Sequence, residues 1–347
     1  MLKYLFPFLD AFLITAVLSI AAIWISKHFH WIRSSIRKGV RHIHSRDVSR
    51  MGGAVMIAAF NAAIFLNHDL VMTPELYGLC LGSLILLVVG FLDDLKELFW
   101  KVQLFIQIAV SVLVFIMGVR IYYVTNPLGG GILHLDAGIG IIFSAALVIF
   151  WIVLVMNAIN WSDGIDGMAS GVAFISAVTI FFLSLRPEVN QPPIAIICAI
   201  LMGTTLGFLV FNFNPSLIIA GTAGSMFMGF SLAVMSIFSG AKIATALLVL
   251  AIPIIDFLWV IGERLRNKKS IFLPDRNHLH YKLLELGWSQ RKIVWSYWGM
   301  TGIIAFVALN TRSIGKGIAI LVVASIMIII LLAVNKEIYR RREKIKN

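Results

Sequence analysis

The chain has 347 residues, of which 60% are hydrophobic and only 13% charged, with a mean hydropathy of +0.93 and a formal net charge of +12. Soluble domains carry about 25% charged residues, so this composition excludes an ordinary water-soluble domain and indicates a polytopic membrane protein. The basic excess lies in short segments between apolar runs, which suits a marked membrane face rather than a nucleic-acid surface.

About 20 apolar residues cross a bilayer. Apolar runs predict spans near 7–26, 51–67, 77–92, 102–119, 139–156, 168–185, 194–211, 224–239, 243–262, 294–310 and 317–334. The expected fold is therefore an all-α integral membrane bundle of eleven helices, or ten if the short third or eighth run is re-entrant. It forms one domain over residues 1–347, with 335–347 as a basic cytoplasmic tail. Lys3 alone precedes the first run, whereas Lys27, Arg33, Arg37, Lys38 and Arg41 follow it, so an uncleaved first span with its N-terminus outside is expected. That placement puts 23 of the 29 Lys and Arg residues on the inner side and the C-terminus in the cytoplasm. Cys80 and Cys198 lie within apolar runs, which argues against a disulfide framework. On the outer side, Asn126-Pro127 and Gly129-Gly130-Gly131 predict a turn or small hairpin.

The polar residues that break the apolar pattern gather on the inner side. Arg41-His42-Ile43-His44 and Arg50-Met51-Gly52-Gly53 either meet a phosphate at the membrane surface or serve only to mark the inner face. Asp93 and Asp94 end the third run, and adjacent carboxylates cannot both ionise cheaply without a nearby cation. A hard divalent ion that bridges to phosphate oxygens is the usual solution. The densest knot is Asn157 to Gly171, where Asn157, Asn160, Asp163 and Asp166 stand at three-residue spacing among glycines. Burying such groups beside membrane spans is costly, which makes the stretch a candidate functional site.

Asn212 and Pro215 close the seventh run, and Gly221-Thr222-Ala223-Gly224-Ser225 opens the eighth. That layout is either an anion-accepting helix N-terminus or a close packing surface. Asp256 in the ninth run is either part of the site's rim or a paired structural carboxylate. Asp275-Arg276-Asn277-His278-Leu279-His280-Tyr281 lacks the ligands for a zinc site and is either a phosphate contact or a solvated basic loop. The terminal basic tail is either a topology anchor or a lipid-headgroup contact.

Taken together, these motifs resemble the polyprenyl-phosphate N-acetylhexosamine-1-phosphate transferases. That family includes the enzymes that start O-antigen, enterobacterial common antigen and wall teichoic acid synthesis, and phospho-MurNAc-pentapeptide translocase. The similarity runs from about Arg41 to Trp288, and its most specific part is the Asn-x-x-Asn-x-x-Asp-Gly-x-Asp-Gly run beginning at Asn157. His278-Leu279-His280 resembles the His-x-His-His motif of the GlcNAc-type branch.

The resemblance implies a bacterial inner-membrane enzyme whose site, in the cytoplasmic loops, moves a sugar 1-phosphate from a UDP-N-acetylhexosamine to polyprenyl phosphate and releases UMP. It implies Mg²⁺, with Mn²⁺ as the alternative ion, and a homodimer as a further association. By the same resemblance Asp93 and Asp94 handle the attacking phosphate and metal, Asn160 and Asp163 sit near the metal or diphosphate, and Asp166 with Asn212 reads the uridine. His278 and His280 contact phosphate, and Asn157, Arg50 and Arg276 complete the expected substrate-binding set.

Two departures stand out. The family's Gly-Asp-x-Gly-Ser has a metal-binding Asp where this chain has Thr222, and the last histidine of its motif is Tyr281 here. A hydroxyl is a far weaker Mg²⁺ ligand than a carboxylate. The ion then relies on the other carboxylates, the protein is a weak or non-catalytic relative that binds nucleotide sugar or lipid, or Thr222 is an engineered change. A rival from another class, an ion-coupled transporter, predicts repeated halves and acids at the bilayer midplane, and no repeat is visible.

Overall fold

A computed structural model describes residues 2–28, 48–125, 131–238, 243–271 and 276–346. Arg41, His42, His44, Asp47 and Asp275 lie outside the described residues. In chain order the helices are α1 (Leu2–His28), α2 (Gly52–Leu66), α3 (Pro74–Lys96) and α4 (Trp100–Ile116). Strands β1 (Tyr123–Thr125) and β2 (Ile132–His134) follow. Then come α5 (Gly140–Ser162), α6 (Met168–Ser184), α7 (Pro192–Asn212), α8 (Gly221–Phe238), α9 (Ile243–Val249) and α10 (Ala251–Arg266). The last three helices are α11 (Leu279–Glu285), α12 (Gln290–Asn310) and α13 (Ser313–Lys346).

In lipid every backbone polar group must be satisfied internally, and apolar runs of this length do so as helices. Their ends follow local chemistry. The Thr73 hydroxyl accepts from Leu76 N and Pro74 opens α3, prolines 192 and 193 open α7, and the Ser289 hydroxyl accepts from Lys292 N at the start of α12.

Among the described residues, α1, α3, α5, α7, α8, α12 and α13 are long and apolar enough to cross a membrane. The α9–α10 pair, bent by 75° at its break, would make an eighth span. Helices α2, α4 and α6 are apolar but have only 15, 17 and 17 residues. The third and eighth runs were expected to be the short ones, yet α3 and α8 are 23 and 18 residues long. Apolar runs underestimate them because α3 continues through Asp93 and Asp94, and α8 begins in the small polar residues at 221–225.

Helices α7 and α8 are largely buried at the centre. Large apolar side chains such as Leu13, Ile20, Leu321 and Ile329 are exposed along α1 and α13, a surface that lipid rather than water would cover. The expected turn at 126–131 is flanked by an antiparallel hairpin in which Tyr123 pairs with His134. The hairpin precedes α5 and the Asn157–Gly171 stretch ends it, so the two stand at opposite ends of that helix.

Candidate active site

Five segments meet at the α5 C-terminal end. The residues before α2 come first. Ile219 N donates to Ser49 O at 2.9 Å and Gly52 N donates to Ile219 O at 3.2 Å, which clamps the Arg50-Met51-Gly52-Gly53 stretch onto the turn before α8. Arg50 then reaches across, with Nη1 donating to the Asp94 backbone carbonyl at 3.2 Å.

The end of α3 lies against the start of α8. A Cβ at position 90 would fall 2.3 Å from Ala223 Cα, so only glycine permits this approach. It brings both acids to the first turn of α8, where they part company. Asp94 Oδ1 accepts from Thr222 N at 3.0 Å and so occupies the helix N-terminus. Asp93 accepts from Leu98 N and Gln103 Nε2, both at 2.8 Å, and from the Thr222 hydroxyl at 2.6 Å. The anion-accepting turn expected at 221–225 is thus engaged by the protein's own carboxylate. Gly221, at φ +66°, supplies the left-handed turn that admits it.

The turn from α5 to α6 carries the remaining acids. Asn160 Oδ1 accepts from the Ser225 hydroxyl at 2.8 Å. Asp166 Oδ2 accepts from Asn214 Nδ2 at 3.1 Å and Ser216 N at 3.2 Å. Asn212 knits the two turns together: its Oδ1 accepts from Gly167 N at 3.0 Å and the Ser170 hydroxyl at 2.8 Å, while its Nδ2 donates to Ile218 O at 2.9 Å. No described hydrogen bond offsets Asp163. Burial pushes its carboxyl up to about 7, and the neighbouring Asp166 and Asp94 carboxylates act in the same direction.

These groups line a cavity of about 250 Å³ whose walls include Arg50, Asp94, Asn160, Asp163, Asp166, Asn212, Thr222 and Tyr281. Other expected residues stand behind the wall. Asp93 is held by its three donors and is not among the residues that line the cavity. Asn157 is likewise turned away, with Nδ2 donating to Gln107 Oε1 at 2.6 Å and to Val153 O at 2.8 Å. His278 and His280 are buried and stacked, with ring centroids 5.7 Å apart. They sit one layer out, since a Cβ at position 164 would meet His280 Nε2 at 2.3 Å and Gly164 itself lines the cavity. Arg276 is exposed and does not line it either.

Gln103 and Gln107 were missed at the sequence level. They are two amides one helical turn apart inside an apolar run, and that spacing is a readable sign of a polar partner on another helix. Trp161 as a cavity wall carried no comparable signal.

Among the described residues, no three His, Cys, Asp or Glu side chains form a metal cage. The donor set nevertheless fits Mg²⁺ of the kind that takes one or two carboxylates and completes its shell with water and phosphate oxygens. The observation in favour is Asp163, a carboxyl raised first by desolvation and then by two acidic neighbours whose repulsion a cation would relieve.

Residues 76–240 match the glycosyl transferase family 4 model, a segment holding every cavity-lining residue except Arg50 and Tyr281. A decaprenyl-phosphate N-acetylglucosaminephosphotransferase of Mycobacterium leprae is 33% identical over 302 residues, covering 78% of this chain and 75% of the relative. The chain belongs to glycosyl transferase family 4. A probable undecaprenyl-phosphate N-acetylglucosaminyl 1-phosphate transferase of Bacillus subtilis is 30% identical over 260 residues, covering 73% of this chain and 70% of that one. More distantly, a phospho-N-acetylmuramoyl-pentapeptide-transferase of Staphylococcus epidermidis is 26% identical over 283 residues, or 76% and 85% of the two chains. The family 4 match thus covers α3 to α8, the helices whose ends shape most of the cavity.

Proposed function

We propose that this protein transfers GlcNAc-1-phosphate from UDP-GlcNAc to a polyprenyl phosphate of the bacterial inner membrane, releasing UMP. The single observation that carries the reading is the coincidence of the family 4 segment with the carboxylate-lined cavity at the end of α5. Eleven spans with the N-terminus outside and the cavity facing the cytoplasm suit the charge asymmetry, with α2, α4 and α6 as short spans and α9–α10 as a bent one.

In this reaction an oxygen of the lipid phosphate attacks the phosphorus that bears the sugar. The bond from that phosphorus to the bridging oxygen breaks, and UMP leaves with that oxygen. Both phosphate monoesters are largely dianionic near neutral pH, their second ionisation lying near pH 6, so the exchange needs no net proton transfer. A general base is therefore dispensable, which suits an Asp93 committed to three hydrogen bonds. What the protein must do is position oxygens and offset charge.

In our reading Asp94 and Asp163 would hold Mg²⁺, which supplies charge neutralisation for the diphosphate when bound. Arg50 brings the cationic side chain on the cavity wall. The Asn160 amide, its carbonyl oxygen already held by Ser225, has its NH₂ left to donate to a phosphate oxygen. Asp166 and Asn212 form the wall on the uridine side, and Tyr281 presents a hydroxyl where the family motif has an imidazole.

The test is to incubate purified protein with polyprenyl phosphate, Mg²⁺ and a panel of UDP-sugars and to measure UMP. Lipid-dependent UMP release with UDP-GlcNAc is the expected result. A second reading, a non-catalytic relative, is favoured by one observation: the Thr222 hydroxyl is turned onto Asp93 rather than toward the cavity. Saturable UDP-sugar binding without UMP release would select it and overturn the first.

A further inference from the structure

Behind the cavity wall lies a buried pair that the proposed transfer leaves without a task. His278 Nδ1 is 2.8 Å from Asp256 Oδ2, and both side chains are almost wholly buried. The other oxygen of the same carboxylate accepts from Leu279 N at 2.8 Å. His278 Nε2 is buried and has no hydrogen-bond partner among the described residues. Trp161, which lines the cavity, makes a T-shaped contact with the His278 ring at 5.5 Å between centroids, and the His280 ring stacks with it at 5.7 Å. A buried polar nitrogen without a partner calls for an explanation, and a catalytic role or an ordered water is among the few available.

We infer that Asp256 is a positioning residue that fixes the His278 imidazole with its proton on Nδ1, so that Nε2 is the nitrogen held ready for the donor substrate's phosphate side or an ordered water. The inference deepens the proposed transfer and rests on it. The logic is one of hydrogen-bond polarity. A carboxylate is acceptor-only, so the ring nitrogen facing it must donate. The second oxygen is fixed by Leu279 N, which ties the carboxylate, the imidazole and the first residue of α11 into one unit. The same carboxylate–imidazole arrangement orients histidines in unrelated catalytic sites.

Asp256→Asn isolates this property without changing shape. The amide must keep its oxygen toward Leu279 N, because its NH₂ there would face another donor. Its NH₂ then points at His278 Nδ1, which must become an acceptor, so the proton of the neutral ring moves to Nε2. The tautomer is reversed in an otherwise unchanged site.

The experiment compares wild type, Asp256→Asn, His278→Gln and the double variant for UMP release, kcat and KM for UDP-GlcNAc, thermal unfolding in detergent, and the ¹⁵N shifts of His278. Expected for Asp256→Asn are an unchanged unfolding midpoint, KM within about twofold, and a kcat reduced by roughly 10- to 100-fold, the usual range for groups that orient a functional histidine. The double variant is expected to be no slower than His278→Gln alone, since a positioning residue has nothing left to position. Wild-type kcat in Asp256→Asn overturns the inference, as does an equal further loss in the His278→Gln background or a loss that tracks unfolding. Asp256→Glu, which keeps the acceptor character, should recover part of the rate, and no recovery counts against the role. If wild-type protein releases no UMP, the proposed transfer fails instead. The inference is then judged by the ¹⁵N shifts alone, and an unprotonated Nδ1 in the wild type overturns it.

Discussion

At Asp163 desolvation in the half-buried turn, with Asp166 and Asp94 beside it, pushes the carboxyl up toward neutrality. Its ordinary value is 3.8 and its value in the fold is about 7. Below the lower value both folded and unfolded chains hold the proton. Between the two the unfolded chain releases it first, so stability falls as pH rises from about 4 to about 7 and then levels off. Asp163→Asn should flatten this part of the unfolding curve in cation-free detergent while lowering UMP release at least roughly 100-fold. Parallel pH profiles for the two proteins would assign the slope to another group. Thr222 offers a second test at this scale. Thr222→Val leaves Asp93 short of a buried donor and should cost about 1–3 kcal/mol of stability. Thr222→Asp adds an acidic ligand beside Asp93 and Asp94, and is expected to lower the Mg²⁺ concentration giving half-maximal UMP release. An unchanged Mg²⁺ midpoint would show that Thr222 does not limit the ion.

Between elements, the contact of α3 with α8 decides whether Asp94 reaches the cavity at all. Gly90→Ala forces its new methyl toward Ala223 backbone, so the helices must separate at a cost of about 1–3 kcal/mol. Both the unfolding midpoint and UMP release should fall. Gly262→Ala in α10 is the control, because among the described residues nothing lies within 4 Å of the added carbon and an exposed helical alanine gains about 0.5–1 kcal/mol over glycine. A Gly90→Ala protein as stable and active as wild type would mean that the helices yield without cost. This packing also marks the limit of what the sequence discloses. The helices are legible because apolar length alone specifies them, and the Asn157–Gly171 knot is legible because polar groups there are costly. The orientation of each acid is not, since Asp93 and Asp94 are chemically identical neighbours. Only the arrival of Thr222, 129 residues away in the chain, sends one to a hydroxyl and the other to a helix end. His278 and His280 were legible as a motif, but their depth behind Gly164 depends on how α11 docks.

Across the whole molecule, the charge asymmetry predicts that the β1–β2 hairpin and the end of α10 lie on opposite sides of the membrane. Cys80 and Cys198 are buried and free, so they leave a quiet background for thiol labelling. In intact cells Ile132→Cys should react with a membrane-impermeant thiol reagent and Arg266→Cys should not. The reverse pattern would invert the topology and move the cavity outside.

The length of α13 has a consequence for the lipid itself. Its 34 residues make a rod about 51 Å long, whose apolar run 317–334 matches the roughly 30 Å of hydrocarbon and whose basic remainder extends beyond it. Asn335 on that rod donates to Glu263 at 2.7 Å, and Glu263 in turn pairs with Lys282 of α11 at 3.1 Å. Met327 and Leu331 share an apolar cluster with Leu279 and Leu283. A bilayer thicker or thinner than such an apolar run strains the helix ends or the lipid around them, and here the helix is fastened to the segment that carries His278. UMP release should therefore pass through an optimum as acyl chains lengthen, with the membrane acting as a mechanical input to the site.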